Sequence, residues 1–152
     1  MAETEAGYIT FDEAQRNAMA ALPQDAPMHM LNLIRLRERA DYPADHPNHG
    51  KGLSGLEAYR AYGRESAPFL AKAGGRQVWL GRAELLAIGP GEERWDLAFI
   101  AEYPDFQAFT AMLQDPGYQK AVVNRRAAIT DSRLIRCEPL EAGPGFGLTI
   151  GD

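Results

Sequence analysis

Residues 28–36 read MHMLNLIRL, and the fold turns on whether this stretch is helix or strand. It is short for an amphipathic helix, and its apolar side chains fall on both parities rather than along one 3.6-residue stripe. A strand buried on two faces is therefore the better reading. Met28, Met30 and Ile34 would point one way and Leu31 and Leu33 the other. The same two-sidedness recurs in RWDLAFIAEY, residues 94–103, where Ala98 and Ile100 oppose Leu97 and Phe99. A sheet built of such strands needs cover on both faces.

Upstream, Thr10 and Glu13 form a T-x-x-E capping box, followed by a modest apolar stripe through Phe11, Ala14, Ala18, Ala21 and Leu22 until Pro23. Downstream, Ser54 and Glu57 repeat the capping signal. The helix behind them places Leu56, Tyr59, Tyr62, Phe69 and Leu70 on one face; Pro68 should kink it and Gly74-Gly75 should end it. RQVWLGRAELLAIG, residues 76–89, reads as one long strand, and GPGEE as a turn. Asp105 is an N-cap signal, and Asp115-Pro116 a cap followed by proline at the first helical position, so that helix breaks and restarts. SRLIRCEPL is a last strand and EAGPGFGLTIGD a Gly/Pro-rich tail. After the N-terminal helix the order is strand, helix, strand, strand, helix, strand. This is the α+β, ferredoxin-like βαββαβ arrangement with a four-stranded antiparallel sheet. Residues 1–24 are expected to form a helical extension, 25–140 the domain and 141–152 the tail. Helices cover one face of such a sheet, so a second copy is expected on the other, giving a homodimer.

The chain has 152 residues with a net charge of −5, which argues against a nucleic-acid partner. One cysteine, Cys137, rules out an internal disulfide and fits a reducing compartment. The acidic start MAETEAGYITFDEAQ reads as no signal peptide, and no apolar run approaches the roughly 18 residues of a membrane span. A cytoplasmic protein without a membrane partner is expected. Walker, G-x-G-x-x-G, G-x-S-x-G and H-E-x-x-H motifs do not occur. That leaves cofactor-independent chemistry, or none.

MLNLIRLR, GLEAYRAYG, AGGR, WDLAFIAEYPDFQAF, DPGYQKAV and RRAAITDSRLI, together spanning about residues 28–136, resemble the domain-of-unknown-function family 1330, within the dimeric α/β-barrel, ferredoxin-like superfamily. The resemblance implies a homodimer whose sheets join into a barrel. The wider superfamily includes cofactor-free oxygenases, lactone isomerases, haem proteins and small-molecule binders, so the fold does not choose a reaction.

Polar residues inside apolar strands are the strongest functional candidates, because burying them unpaired is costly. Asn32 interrupts MLNLI and Glu102 ends LAFIAEY. On neighbouring strands they would meet in one pocket, Asn32 orienting a ligand and Glu102, its pKa raised by apolar surroundings, serving as catalytic acid or base. The structural alternative is that Asn32 bonds a loop and Glu102 pairs with an arginine at the sheet rim. Tyr59 and Tyr62 would line the pocket as orienting groups, or belong to the core. Arg35, at the end of the first strand, and Arg125, on an apolar helical stripe beside Arg126, are candidates to clamp a carboxylate or enolate of a small organic ligand. His29 is more readily structural, and Cys137 shows no histidine partner in sequence. DYPADHPNHGKG, residues 41–52, carries His46 and His49 among prolines and glycines. It reads as a polar loop rather than a zinc site, placed to act as a lid over the pocket mouth. Metal and cofactor are both expected to be absent. The rival function is a non-catalytic homodimeric binding or assembly module.

Overall fold

The structure is a computed structural model and describes residues 7–151; the ends of the expected extension and tail, residues 1–6 and 152, lie outside the described residues. The element order is α1 (Glu13–Ala20), β1 (Met28–Leu36), α2 (Gly55–Lys72), β2 (Arg76–Arg82), β3 (Leu97–Tyr103), α3 (Phe106–Gln114), α4 (Pro116–Ala128) and β4 (Ile129–Cys137). The strands make one sheet in the order β2-β3-β1-β4, with every neighbouring pair antiparallel. This is the ferredoxin-like α+β fold expected from the order of elements.

Residues 28–36 are a strand throughout, central in the sheet, and their burial alternates. Met28, Met30, Asn32 and Ile34 are buried on the helix-covered side, while His29, Leu31 and Leu33 are half-buried on the open side. Antiparallel register carries the alternation outward. Met28, Met30, Asn32 and Ile34 pair with Tyr103, Ala101, Phe99 and Leu97, whereas His29, Leu31 and Leu33 pair with Glu102, Ile100 and Ala98. The helix-covered side forms two core clusters. One gathers Met28, Met30, Ala101 and Tyr103 against Phe106, Phe109, Met112 and Tyr118. The other gathers Ile34, Tyr42, Ala58, Ala127, Ala128 and Ile129.

Local chemistry sets most helix ends. Ser54 Oγ accepts from Glu57 N at 3.0 Å, and the Glu57 carboxylate accepts from Ser54 N, completing the expected capping box of α2. Pro68 lies inside α2 without ending it. Gly74, at φ +73°, takes the left-handed conformation just past the helix, where a side chain would be strained. Asp105 caps α3 and Asp115 caps α4, with Pro116 opening the new helix as expected. Gly55 is there for space: a Cβ would lie 2.0 Å from the Arg37 carbonyl oxygen.

Three expectations change. Thr10 does not cap α1; Asp12 does, its carboxylate accepting from Gln15 N at 2.7 Å. The strand predicted over 76–89 ends at Arg82, because β3 begins at its partner Leu97 and offers nothing further to pair with. Beyond it, Ala83 N donates to the Asp96 carbonyl, and Leu85 and Ile88 are exposed. The last strand starts earlier than SRLIRCEPL, at Ile129, and stops at Cys137. No helix among the described residues is long and apolar enough to cross a membrane.

Candidate functional site

Between the helix-covered side of the sheet and the helices lies a cavity of about 980 Å³. Its floor is Met30 and Asn32 of β1, Phe99, Ala101 and Tyr103 of β3, and Ser132 and Leu134 of β4. Tyr59 and Tyr62 reach it from α2, and Tyr118, Val122 and Arg125 from α4. Phe109 and Leu113 line it from α3, and a further wall is the N-terminal segment, from Tyr8 to Leu22. The volume sits at the upper end of the range for small-molecule sites. A second hollow, of about 200 Å³ beside Glu38, Arg39 and Glu57 at the start of α2, contains none of the candidate residues.

Four of the six residues singled out in the sequence meet here: Asn32, Tyr59, Tyr62 and Arg125. The periodicity of α2 puts Tyr59 and Tyr62 three residues apart on one face, with ring centroids 5.5 Å apart. Tyr62 Oη lies 2.8 Å from Tyr118 Oη, so these two hydroxyls satisfy each other. The Tyr59 hydroxyl is closed off from solvent and has no hydrogen-bond partner among the described residues. Burial, reinforced by the neighbouring Tyr62, pushes the Tyr59 phenol well above its ordinary pKa, with the Arg125 charge acting in the opposite sense. Tyr118 and Tyr103 are pushed up too, first by burial and then by Tyr62. All three stay protonated at neutral pH.

Arg125 Nη1 donates to the Ile9 carbonyl at 2.7 Å, and Nη2 lies 3.5 Å from Ser132 Oγ. Ser132 in turn donates to the Tyr8 carbonyl at 2.6 Å. On the same strand Arg136 donates to the carbonyls of Met19, at 3.3 Å, and Pro23. The N-terminal segment is thus held by its backbone, whereas no residue of α1 is buried. Asn32 spends one amide hydrogen on its own strand, donating to the Met30 carbonyl at 3.0 Å.

Glu102 and Arg35 are elsewhere. Register places Glu102 beside His29, on the open face of the sheet and away from Asn32. Its Oε2 lies 2.9 Å from His29 Nε2, and its Oε1 accepts from Arg76 Nε at 2.9 Å. The His29 and Arg76 hydrogen bonds hold its carboxyl below the usual carboxylate range. The expected general base with a raised pKa, sharing a pocket with Asn32, is therefore corrected: Glu102 is a paired, ionised rim carboxylate. Arg35 pairs in register with Asp131 on that same open face and does not line the cavity.

The lid expected at residues 41–52 is also corrected, since none of them lines the cavity. Tyr42 is buried and donates to Asn124 Oδ1 at 2.6 Å, and Asp41 N donates to the Ala127 carbonyl at 2.9 Å. His49 Nδ1 lies 2.9 Å from the Tyr42 carbonyl, and the His46 ring stacks on Tyr42 at 4.5 Å. Both histidines contact Tyr42 within the loop, and Tyr42 and Asp41 bond the loop to α4. Among the described residues, no group of three or more His, Cys, Asp or Glu side chains is placed to hold a metal ion.

Sequence reasoning passed over Tyr118 and the N-terminal wall as site components. Tyr118, Val122 and Arg125 share one helical stripe, so the spacing that marked Arg125 also marks Tyr118. Nothing local marks the N-terminal wall, because its anchors come from β4 and α4, more than a hundred residues away.

Comparison with known proteins agrees with the fold. The profile of DUF1330, a domain of unknown function, matches residues 53–137. A protein of unknown function from Rhodopseudomonas palustris is 47% identical, covering 89% of this chain and 98% of its own, with a TM-score of 0.80. A structure of that same protein in methylated form covers 91% of this chain and 98% of its own, again at 47% identity, with a TM-score of 0.83. A NIPSNAP-like domain protein from Burkholderia xenovorans, at 16% identity, 80% and 92% coverage and a TM-score of 0.50, shares the fold alone. No curated protein matches.

Proposed function

Because the chain belongs to the DUF1330 family, whose description names no activity, we propose a function from the geometry of the cavity: it binds a small organic molecule between sheet and helices, without a cofactor. The observation that carries this is the cavity itself, an apolar floor with Asn32, the hydrogen-bonded Tyr62–Tyr118 hydroxyls and Arg125 on its lining. Arg125 and Asn32 would orient the ligand there. The lining contains no Asp, Glu, His or Cys among the described residues. The walls therefore favour binding, and stabilisation of negative charge on the ligand by Arg125 and protonated phenols, over proton abstraction by a protein base.

A thermal-shift screen of small acids, lactones, phenols and quinones tests this, since a ligand that binds only the folded state raises Tm. At least one class should raise Tm, and Val122→Trp, which fills the cavity from α4, should abolish the shift while preserving a cooperative transition. A flat response across the panel would sink the proposal and favour the non-catalytic module.

A second reading concerns the open face. We infer that it is covered by the same face of a second copy. Trp79 and Ile135 are 52% and 49% exposed there, beside half-buried Leu31, Leu33 and Ile100, an apolar surface that a symmetric partner would shield. Sedimentation should give twice the chain mass, and Leu31→Glu should give one.

A further inference from the structure

The cavity is lined by charge of one sign. Arg16, Arg125, Arg126 and Arg136 line it, and no aspartate or glutamate among the described residues does. The chain as a whole has 21 acidic and 16 basic side chains, so composition alone would have supplied carboxylates. Arg133, which pairs in register with Leu33 of the open face, has Asp131 at 2.7 Å, whereas none of the other four has a carboxylate within salt-bridge distance among the described residues. The half-buried Arg125 instead spends its donors on the Ile9 carbonyl and, at 3.5 Å, on Ser132.

A guanidinium drawn out of water without a counter-ion is costly, and a neutral ligand filling the cavity would deepen that cost by displacing water. An anion would reverse it. The Tyr62–Tyr118 pair fits the same demand, since of two phenol hydroxyls 2.8 Å apart only one donates to the other, leaving the second O–H for a ligand acceptor. The rest of the floor is apolar: Met30, Phe99, Ala101, Phe109, Leu113 and Leu134. An inorganic ion would leave that surface uncovered.

We infer that the ligand is an organic anion, a carboxylate carried on an aromatic or other apolar body, with its charged end on Arg125 and its body over the floor at Phe99 and Leu134. This rests on the cavity being the ligand site. The forked guanidinium matches the planar carboxylate.

The test is calorimetric titration of the full chain at low salt with three probes: 2-naphthoate, its uncharged analogue 2-naphthamide, and inorganic phosphate. Naphthoate should bind about tenfold or more tightly than naphthamide, as expected for a hydrogen bond to a charged group, and phosphate should bind far more weakly than either. Arg125→Gln should erase the preference for the acid, and Arg125→Lys, which keeps the charge and loses the fork, should reduce it. Equal binding of acid and amide would overturn the anion assignment and leave the cavity as a neutral-ligand site. Phosphate binding as tight as naphthoate would overturn the apolar body. Failure of both naphthyl probes would remove this inference together with the pocket reading beneath it. Should Arg125→Gln not fold, the acid-to-amide ratio in the native chain and in Arg125→Lys decides the matter.

Discussion

Arg125 and Ile9 lie 116 positions apart in the chain, and a 2.7 Å hydrogen bond joins the guanidinium of one to the carbonyl of the other. The same contact holds one wall of the cavity, the one formed by residues 8–22. Ser132 and Arg136 hold that wall by further carbonyls, and the Asp131 carboxylate accepts from Tyr8 N at 2.9 Å. Phe11 adds one edge-on ring contact with Phe109, at 6.3 Å.

Such a cover should come away before the domain unfolds. Burial alone would raise the Asp131 pKa, but the Tyr8 N–H and the Arg133 charge outweigh it and the net shift is downward. Its contribution is therefore complete above the ordinary carboxylate pKa of 3.8 and is lost as pH falls through the lower folded value. Hydrogen exchange should show the Tyr8 amide losing protection on acidification while β1 stays protected, and Asp131→Asn should show that loss at neutral pH. Unchanged Tyr8 protection in Asp131→Asn would mean that this tether does not hold the segment.

Glu102 gives a different acid signature. Its carboxyl is held below the ordinary 4.5 by His29 and Arg76, so its stabilising effect is present above that pH and fades as pH falls through the depressed folded value. Glu102→Gln should lower the urea midpoint at neutral pH and flatten its fall on the acid side, while naphthoate affinity stays as it is. A changed ligand affinity would put Glu102 back among the cavity residues.

The buried pair Tyr42 and Asn124 ties the 41–52 loop to α4. Asn124 is fully buried; it accepts from Tyr42 at 2.6 Å and donates to Glu65 at 3.0 Å. Tyr42→Phe should cost about 1 kcal/mol, and Asn124→Ala, which strands the Tyr42 hydroxyl, about 1–3 kcal/mol. Limited proteolysis should then cut the loop near Asp45. A loop that remains resistant in Asn124→Ala would show that the histidine contacts suffice to hold it.

Gly55→Ala should destabilise the chain by about 1–3 kcal/mol, as overpacking does, because its methyl would meet the Arg37 and Ala128 carbonyl oxygens at 2.0 and 2.8 Å. Urea unfolding measures it. A gain in stability, as expected of Gly→Ala in an open helix, would mean that the β1–α2 connection yields freely.

Helices and strands were largely legible in the sequence because their signals are local. The Ser54–Glu57 box, Asp105, Asp115-Pro116 and Gly74 each act within a few residues, and the alternation in MHMLNLIRL is complete in itself. One miss has a local cause, since Asp12 outcompeted Thr10 for the α1 cap, and another comes from pairing, since the strand after Arg82 stopped where its partner stopped.

Which residues share the site was not legible to the same degree. Tyr59, Tyr62 and Arg125 follow from helical periodicity, which fixes a face without reference to any other element. Asn32 and Glu102 depend on register between β1 and β3. The observed pairing of Asn32 with Phe99, and of His29 with Glu102, puts the two on opposite faces. A slip of one residue would have put them on the same face.

The sequence by itself determined the element types, their order, the ferredoxin-like topology and the two-sided strands, because capping, turn chemistry and hydrophobic period act over a few residues. Only the tertiary structure decided that Glu102 faces away from the cavity, that residues 8–22 rather than 41–52 cover it, and that its charged lining is arginine alone. Each of these depends on strand register or on hydrogen bonds between residues more than a hundred positions apart, which no local pattern encodes.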